Sequence, residues 1–221
     1  MGGAASDQGS RVRIAHRQGM KRRTIGIVDY GVGNHTSVWR TLHSLNYRCR
    51  VSSEPEVLDQ TDLLVLPGVG AFAAAMESLH RHNLADYLKG RARVGQPIVG
   101  LCLGMQLLAD ASREHGLTSG LGLIPGTVEP FRQGRWHIGW NAIEVVGDDP
   151  VFRASDRQSM YFNHSYVFEA PPEYQAAVAR LETPFPVAVR RANLVGLQFH
   201  PEKSQDAGRT LLRDVVEGLC A

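Results

Sequence analysis

The first half of the chain alternates apolar runs with amphipathic stretches, and this alternation restricts the possible folds more than any other feature. "DLLVLPGVG", which begins at Asp62, holds an unbroken Leu-Leu-Val-Leu run, typical of a strand buried on both faces. "TIGIVDYG", "YRCRV" and "QPIVG" are further strand candidates. Between them, "TSVWRTLHSL" and the stretch that holds Phe72, Met76 and Leu79 place apolar residues at helical spacing. This order predicts an α/β fold whose central sheet is mostly parallel and flanked by helices.

The second half differs, because strand-like segments follow one another with little helix between them. These segments are "NAIEVV", "SMYFNHSYVF", "QAAVAR", "FPVAVRR" and "LVGLQFH", and a final helix is predicted at "AGRTLLRDVVEGL". We expect them to add antiparallel strands to the parallel sheet. No internal repeat or linker divides the chain, so residues 24–221 are predicted to form one domain.

Residues 1–23 have a different composition from the rest of the chain. They hold six of the 24 Lys and Arg residues but only one of the 22 acidic residues, and few apolar ones. We expect them to be a disordered N-terminal extension. The remaining 18 basic and 21 acidic residues give residues 24–221 a net charge of −3. A nearly neutral domain disfavours nucleic-acid binding outside the extension.

The cysteines and the hydropathy pattern indicate a cellular compartment. Cys49, Cys102 and Cys220 are too few for a disulfide framework in a chain of this length, and their odd number fits a reducing environment. No apolar run approaches the roughly 18 residues that a membrane-spanning helix needs, and no secretory signal is present. We expect a cytoplasmic protein that does not bind membranes.

"VGLCLGMQLL" places Cys102 between Gly100 and Gly104, after an apolar strand and before a predicted helix. A buried cysteine is usually an inert small hydrophobe. The pattern G-x-C-x-G at a strand-to-helix junction is, however, that of a nucleophile elbow, with cysteine in place of serine. Such a turn would expose the sulfur, and the first N–H groups of the helix would favour its thiolate form.

"GLQFHPEKS" supplies a base and an orienting acid for such a thiol. Residues two apart on a strand share a face, so His200 and Glu202 can point the same way. The alternative is a loop histidine beside a solvated glutamate. The presence of the elbow in the same chain favours a Cys-His-Glu set for acyl transfer.

"LPGVGAF" places two glycines at the end of the third strand, where backbone N–H groups could hold an oxyanion together with the N–H of Leu103. The alternative is phosphate or dinucleotide binding, since Gly68, Gly70 and Ala73 fit G-x-G-x-x-G/A. That fingerprint normally follows the opening strand of its unit, whereas this loop follows the third.

Together, "GLCLGMQ", "QFHPEKS" and "PGVGAF" resemble the class I, triad-type glutamine amidotransferases. "DYGVGN", "GLGLIPG", "HIGWN" and "YFNHSY" narrow the similarity to the glutaminase subunits of imidazole glycerol phosphate synthases, from about Thr24 onwards. The resemblance implies a flavodoxin-like fold, no cofactor and no metal ion. It also implies glutamine hydrolysis and delivery of ammonia to a (β/α)₈ cyclase subunit in a heterodimer, forming imidazole glycerol phosphate and aminoimidazole carboxamide ribotide in histidine biosynthesis.

The resemblance assigns roles to residues that match the family motifs. Cys102 is the expected nucleophile, His200 the base and acid, and Glu202 its orienting partner. The backbone of Val69 and Leu103 is expected to form the oxyanion hole. The expected glutamine-binding residues are Gly68, Gly70, Gln106, Ser165 and Tyr166.

Asn34, Trp140 and Lys203 match positions at the subunit boundary of the family. Their ordinary alternatives are a helix N-cap for Asn34, a core residue for Trp140 and a solvated side chain for Lys203. Two residues depart from the family pattern, because Asn163 and His35 stand where an apolar residue is usual. A polar group at either place requires a partner if it is buried.

Two alternatives to this function stay open at this point. One is a related glutaminase that supplies a different synthase, which His35 beside the predicted interface would fit. The other is a non-catalytic scaffold subunit, which would not need cysteine, histidine and glutamate together.

Overall fold

The structure, a computed structural model, describes residues 22–134 and 136–221 of the 221-residue chain. The predicted disordered extension falls mostly outside the described residues. Arg22 and Arg23, which the sequence assigned to it, are described and hydrogen-bond to the domain. Arg22 donates to the carbonyl of Tyr47 at 3.0 Å, and the carbonyl of Arg23 accepts from Arg48 at 2.9 Å.

A large mixed sheet forms the centre of the molecule. Its strands are β1 (Thr24–Val28), β2 (Arg48–Ser52), β3 (Leu63–Gly68), β4 (Ile98–Cys102), β8 (His137–Val145), β9 (Ser159–His164), β11 (Gln175–Arg180), β12 (Pro184–Arg191) and β13 (Leu194–Leu197). Their order is β2-β1-β3-β4-β13-β12-β11-β8-β9. The pairs from β2 to β13 are parallel, and those from β13 to β9 are antiparallel. The predicted fold class is confirmed.

A second, smaller sheet lies beside the first, and the sequence did not predict it. It has the order β10-β7-β5-β6. Its strands are β5 (Ala111–Ser112), β6 (Thr118–Ser119), β7 (Thr127–Pro130) and β10 (Tyr166–Glu169). The predicted single strand "SMYFNHSYVF" is therefore wrong as one element, because the chain leaves the large sheet after His164 and joins the small one at Tyr166.

Six α-helices cover the large sheet in the described part of the chain. They are α1 (His35–Ser44), α2 (Pro55–Leu58), α3 (Phe72–Arg81), α4 (Leu84–Arg93), α5 (Leu103–Leu107) and α6 (Gln205–Leu219). The sequence predicted α1, α3, α5 and α6 but not α2 or α4. Every residue of β3 and β4 is buried, so the centre of the sheet is dry on both faces. No helix in the described ranges is long and apolar enough to cross a membrane.

Candidate active site

Cys102 ends β4 and lies at a sharp turn into α5. Its φ of 54° and ψ of −111° lie outside the regions that L-residues ordinarily occupy. A Cβ on Gly104 would overlap the carbonyl oxygen of Leu66, and a Cβ on Gly100 would lie 2.5 Å from the carbonyl oxygen of Gly104. The turn therefore requires glycine on both sides of the cysteine. This strained, backbone-packed geometry is that of a nucleophile elbow.

His200 and Glu202 face each other, but not in the way that the sequence suggested. β13 ends at Leu197, and a 3₁₀ turn over Pro201–Lys203 brings the two side chains together instead of strand alternation. The Glu202 carboxylate accepts from His200 Nδ1 at 2.8 Å, and the two side chains are only 5% and 2% exposed. A buried carboxylate at Nδ1 holds the imidazole in one orientation and leaves Nε2 for chemistry.

The turn that carries His200 is anchored to strand β9. The backbone N–H of His200 donates to the carbonyl of Tyr161 at 2.9 Å. The Ser204 hydroxyl donates to the carbonyl of His200 at 2.7 Å and accepts from the N–H of Tyr161 at 2.9 Å. These bonds fix the position of the imidazole relative to the large sheet.

The charge state of His200 follows from its neighbours. Burial by itself lowers the pKa of His200, but interaction with the Cys102 and Glu202 side chains outweighs burial and raises the pKa to about 9. At neutral pH the group is therefore an imidazolium, which stabilises an anionic sulfur beside it and can protonate a leaving group.

A polar pocket of about 260 Å³ opens at Cys102 and His200. Its lining residues are Val69, Gly70, Cys102, Leu103, Gln106, Glu114, Asn163, His164, Ser165, Tyr166, His200 and Lys203. A cavity of about 360 Å³ elsewhere, lined in part by Lys89, Arg93 and Arg191, has no cysteine, serine or histidine in its lining. The pocket at Cys102 is thus suited to covalent chemistry on a small polar molecule.

The two residues predicted for the oxyanion hole, Val69 and Leu103, both line this pocket. Leu103 is the first residue of α5, so its N–H has no acceptor within the helix. Gly68, predicted to contact glutamine, instead packs behind the elbow, where a Cβ would lie 2.7 Å from the backbone nitrogen of Gly104. Its position indicates a packing role.

The other residues predicted to bind glutamine surround the pocket. Gly70 lies at one side with a φ of 94°, and Ser165 and Tyr166 lie where the chain passes from β9 to β10. Gln106 is 5% exposed, and its Nε2 donates to the Tyr166 carbonyl at 3.1 Å and to Gln198 Oε1 at 2.9 Å.

The residues predicted at a subunit boundary lie around the His200 turn. Asn34 caps α1, accepting from the N–H of Ser37 at 3.2 Å, and α1 packs against the 3₁₀ turn. Trp140 is 51% exposed, which excludes the core alternative, and its ring lies 5.9 Å from that of Tyr161. The Lys203 ammonium lies 5.9 Å from the centre of the same tyrosine ring.

The two departures from the family pattern occupy different environments. Asn163 is exposed, and its carbonyl lies 3.9 Å from Cys102 Sγ at the pocket. The Nε2 of His35 is buried and has no hydrogen-bond partner among the described residues. Its nearest acid is Asp29, whose Oδ1 lies 3.8 Å away.

Glu114 and Gln198 were missed by the sequence analysis. Glu114 lines the pocket, and its carboxylate accepts from the N–H of Phe72 at 2.7 Å, at the start of α3. Gln198 is buried, and its Nε2 lies 3.9 Å from Cys102 Sγ. No sequence signal marks Glu114, which lies in a turn outside the quoted motifs. Gln198 precedes His200 by two residues and could have been found from that spacing.

The chain is similar to proteins of one known family. The sequence model of the glutamine amidotransferase class-I family matches residues 26–217. The imidazole glycerol phosphate synthase subunit HisH of Carboxydothermus hydrogenoformans is 42% identical over 196 residues, covering 87% of this chain and 98% of the relative. The protein of the same name from Listeria monocytogenes serotype 4a is 40% identical over 197 residues, covering 87% and 95%.

Solved structures show the same fold at lower identity. PurLQS from Thermotoga maritima superposes with a TM-score of 0.71 at 18% identity, over 90% of this chain and 100% of the other. A glutamine amidotransferase from the same organism superposes with a TM-score of 0.63 at 21% identity, over 90% and 98%.

Proposed function

Since the chain belongs to the glutamine amidotransferase class-I family, we propose that it is the glutaminase subunit of an imidazole glycerol phosphate synthase. The observation that carries the proposal is the position of Cys102 at a strained elbow beside the buried His200–Glu202 pair. Relatives named HisH at 40% and 42% identity support the choice of synthase. The three free cysteines fit a reducing cytoplasm.

The chemistry begins with attack by the Cys102 thiolate on the side-chain carboxamide carbon of glutamine. The carbonyl oxygen becomes an oxyanion, which the N–H groups of Leu103 and Val69 stabilise. His200, as imidazolium, then protonates the amide nitrogen, the C–N bond breaks, and ammonia leaves a glutamyl thioester.

Hydrolysis of the thioester restores the site. His200, now neutral, takes a proton from water, the hydroxide adds to the thioester carbonyl, and glutamate leaves as the Cys102 thiolate re-forms. Glu202 stabilises the imidazolium in both steps without becoming protonated itself. The reaction consumes one water and needs no cofactor.

The pocket lining suits the head group of glutamine. Glu114 offers a carboxylate to the α-ammonium group, and Gln106 lies one turn beyond the nucleophile. Backbone groups of Gly70, Ser165 and Tyr166 complete the polar lining. These roles are part of the proposal.

We place the cyclase partner against the face that carries Trp140. Ile138 and Trp140 are 57% and 51% exposed and share one face of β8. Lys203, exposed above Tyr161, would pair with an acidic residue of the cyclase. Asn34, at the start of α1, lies on an element packed against the same turn.

The test is glutamate release from glutamine by the protein mixed with a histidine-pathway cyclase, with and without its phosphoribulosyl nucleotide substrate. We expect release that the nucleotide stimulates, and its loss in Cys102→Ala but not in the matched variant Cys49→Ala. Glutamate release at the same rate with and without the nucleotide and the cyclase would contradict the assignment to this synthase. An active Cys102→Ala variant would contradict the thiol chemistry.

A further inference from the structure

Two buried histidines that the proposed mechanism does not use lie side by side at the pocket, and one of them, His164, is among its lining residues. His137 on β8 and His164 on β9 are cross-strand partners, each 7% exposed. Nδ1 of His137 lies 3.0 Å from Nε2 of His164. Rings of Phe131, Phe162 and Phe185 pack around the pair.

The partners of the pair determine where its protons lie. The Tyr166 carbonyl, 2.9 Å from His164 Nδ1, can only accept, so Nδ1 of His164 carries a proton. In the neutral ring, Nε2 of His164 then accepts, and Nδ1 of His137 must donate to it. Nε2 of His137 in turn accepts from the Asn141 amide at 3.3 Å. Each imidazole thus has one defined tautomer.

Burial keeps both rings neutral. It lowers the pKa of His137, and it lowers the pKa of His164 to about 4 even though the hydrogen bond with the Tyr166 carbonyl acts in the opposite direction. A second proton on His164 would replace the acceptor Nε2 with a donor facing the donor of His137.

The chain of hydrogen bonds ends at a residue of the pocket. The Tyr166 carbonyl that accepts from His164 also accepts from Gln106 Nε2 at 3.1 Å, and Nε2 donates as well to Gln198 at 2.9 Å. Both amide protons of Gln106 are therefore used. The polar atom left for the pocket is its oxygen, which accepts hydrogen bonds from ammonium groups.

We propose that His137 and His164 are positioning residues that hold the Tyr166 carbonyl in place and thereby keep the Gln106 oxygen turned towards the α-ammonium group of the substrate. This inference rests on the proposed glutaminase function. A Gln106 amide released from the Tyr166 carbonyl is free to turn its N–H₂ group to the ammonium, which repels it. The pair therefore acts on glutamine binding and not on C–N cleavage.

The experiment compares His164→Phe with His164→Asn in the complex with the cyclase and its nucleotide. Phenylalanine keeps the ring but has no donor, whereas the asparagine amide places a donor near the position of Nδ1. We expect His164→Phe to raise KM for glutamine roughly three- to tenfold, the effect of losing one hydrogen bond, with kcat within about twofold. In His164→Asn, KM should return close to the wild-type value.

Phe185→Leu is the matched control, because Phe185 packs against both histidines without a hydrogen bond. It should lower Tm and leave KM unchanged. A second readout is the alkylation of Cys102 by iodoacetamide and by a chloroketone analogue of glutamine. His164→Phe should slow the alkylation of Cys102 by the glutamine analogue but not its alkylation by iodoacetamide.

An unchanged KM in His164→Phe, or an equal rise of KM in Phe185→Leu, would overturn the inference. If His164→Phe does not fold, KM for glutamine is measured on His137→Phe instead. A raised KM supports the inference, and an unchanged KM overturns it. A different result would overturn the proposed function and this inference with it. In that case the wild-type complex releases no glutamate, and added glutamine does not protect Cys102 from alkylation.

Discussion

At Gly104 the elbow has no space for a side chain. A Cβ there would overlap the carbonyl oxygen of Leu66, which belongs to the fully buried strand β3 and cannot move aside. We expect Gly104→Ala to lower the free energy of unfolding by at least ~2 kcal/mol, as overpacked core sites do. Urea unfolding measures this.

Gly90→Ala is the matched control for Gly104→Ala. Gly90 lies in helix α4, and a Cβ there meets no atom within 4 Å. The free energy of unfolding should rise by up to about 1 kcal/mol, since alanine is the better helix former. Equal effects of the two substitutions would show that the elbow is not closely packed.

Glu202 holds His200 through one hydrogen bond inside a buried site. We expect Glu202→Gln to reduce kcat for glutamine hydrolysis by roughly 10²–10⁴, because the imidazolium loses its charged partner and its fixed orientation. Steady-state kinetics with the cyclase measures this. The exposed Glu173→Gln variant should behave as wild type, and a Glu202→Gln enzyme of normal kcat would contradict the assigned role.

His164 and His200 govern opposite sides of the pH dependence of stability. The folded-state pKa of His164 is lowered to about 4 from 6.5, so the unfolded chain binds the proton first. The free energy of unfolding should therefore fall by at most roughly 3 kcal/mol as the pH drops from about 6.5 towards 4. His200, whose folded-state pKa is raised to about 9, contributes stability below pH 6.5 that is lost as the pH rises through 9.

Urea unfolding between pH 4 and pH 9 checks both signs. His164→Phe should flatten the acid side of the profile, and Glu202→Gln should flatten the alkaline side. An acid side that is the same in His164→Phe as in wild type would mean that His164 is protonated in the folded protein at mildly acidic pH.

At the scale of elements, short irregular segments complete the site. The chain leaves β9 at His164, passes Ser165 and enters the small sheet at Tyr166, so this crossing lies at the mouth of the pocket. The 3₁₀ turn after β13 similarly brings Glu202 to His200. Both segments lie where regular strands end, and there the backbone can present side chains and carbonyls to a substrate.

Glu114 joins another element, helix α3, to the pocket. Its carboxylate accepts from the N–H of Phe72 at the start of α3, a position where a negative charge is favourable. We expect Glu114→Ala to lower the free energy of unfolding by about 1 kcal/mol through loss of this cap. It should also raise KM for glutamine, because the α-ammonium group loses its counter-charge.

Glu114→Gln separates the two effects. The amide oxygen can still accept from Phe72, so the stability measured by urea unfolding should be retained while KM rises. The surface variant Glu77→Ala, on the exposed side of the same helix, is the control and should leave KM unchanged. A normal KM in Glu114→Gln would exclude charge recognition by this carboxylate.

At the scale of the whole molecule, the described residues leave an apolar face exposed beside the site. Trp136, Ile138 and Trp140 are 59%, 57% and 51% exposed at spacings of two residues, at and along β8. We expect Trp140→Ala to weaken binding of the cyclase by roughly tenfold or more, as loss of an aromatic anchor does, without lowering Tm. Titration calorimetry with the cyclase measures the affinity.

Val94→Ala is the control for this surface. Val94 is 72% exposed and follows helix α4. The substitution therefore shortens an exposed apolar side chain outside the β8 face. It should leave the affinity unchanged. A Trp140→Ala variant of wild-type affinity would place the cyclase on another face.

The sequence by itself determined the α/β fold, the mostly parallel character of the central sheet and the elbow at Cys102. Continuous apolar runs such as Leu63–Leu66 can be satisfied only by burial on both faces, and glycines on both sides of the cysteine mark a turn without room for side chains. These are local constraints, and local sequence expresses them.

Only the tertiary structure decided how distant residues meet. The 3₁₀ turn that pairs His200 with Glu202, the passage of the chain between sheets at Ser165, and the contact of Glu114 with Phe72 depend on packing between segments far apart in sequence. The His137–His164 pair likewise depends on the antiparallel register of β8 and β9. The strand register and the passage of the chain from one sheet to the other are set by the burial of whole sheet faces. A short stretch of sequence does not contain the information for that burial.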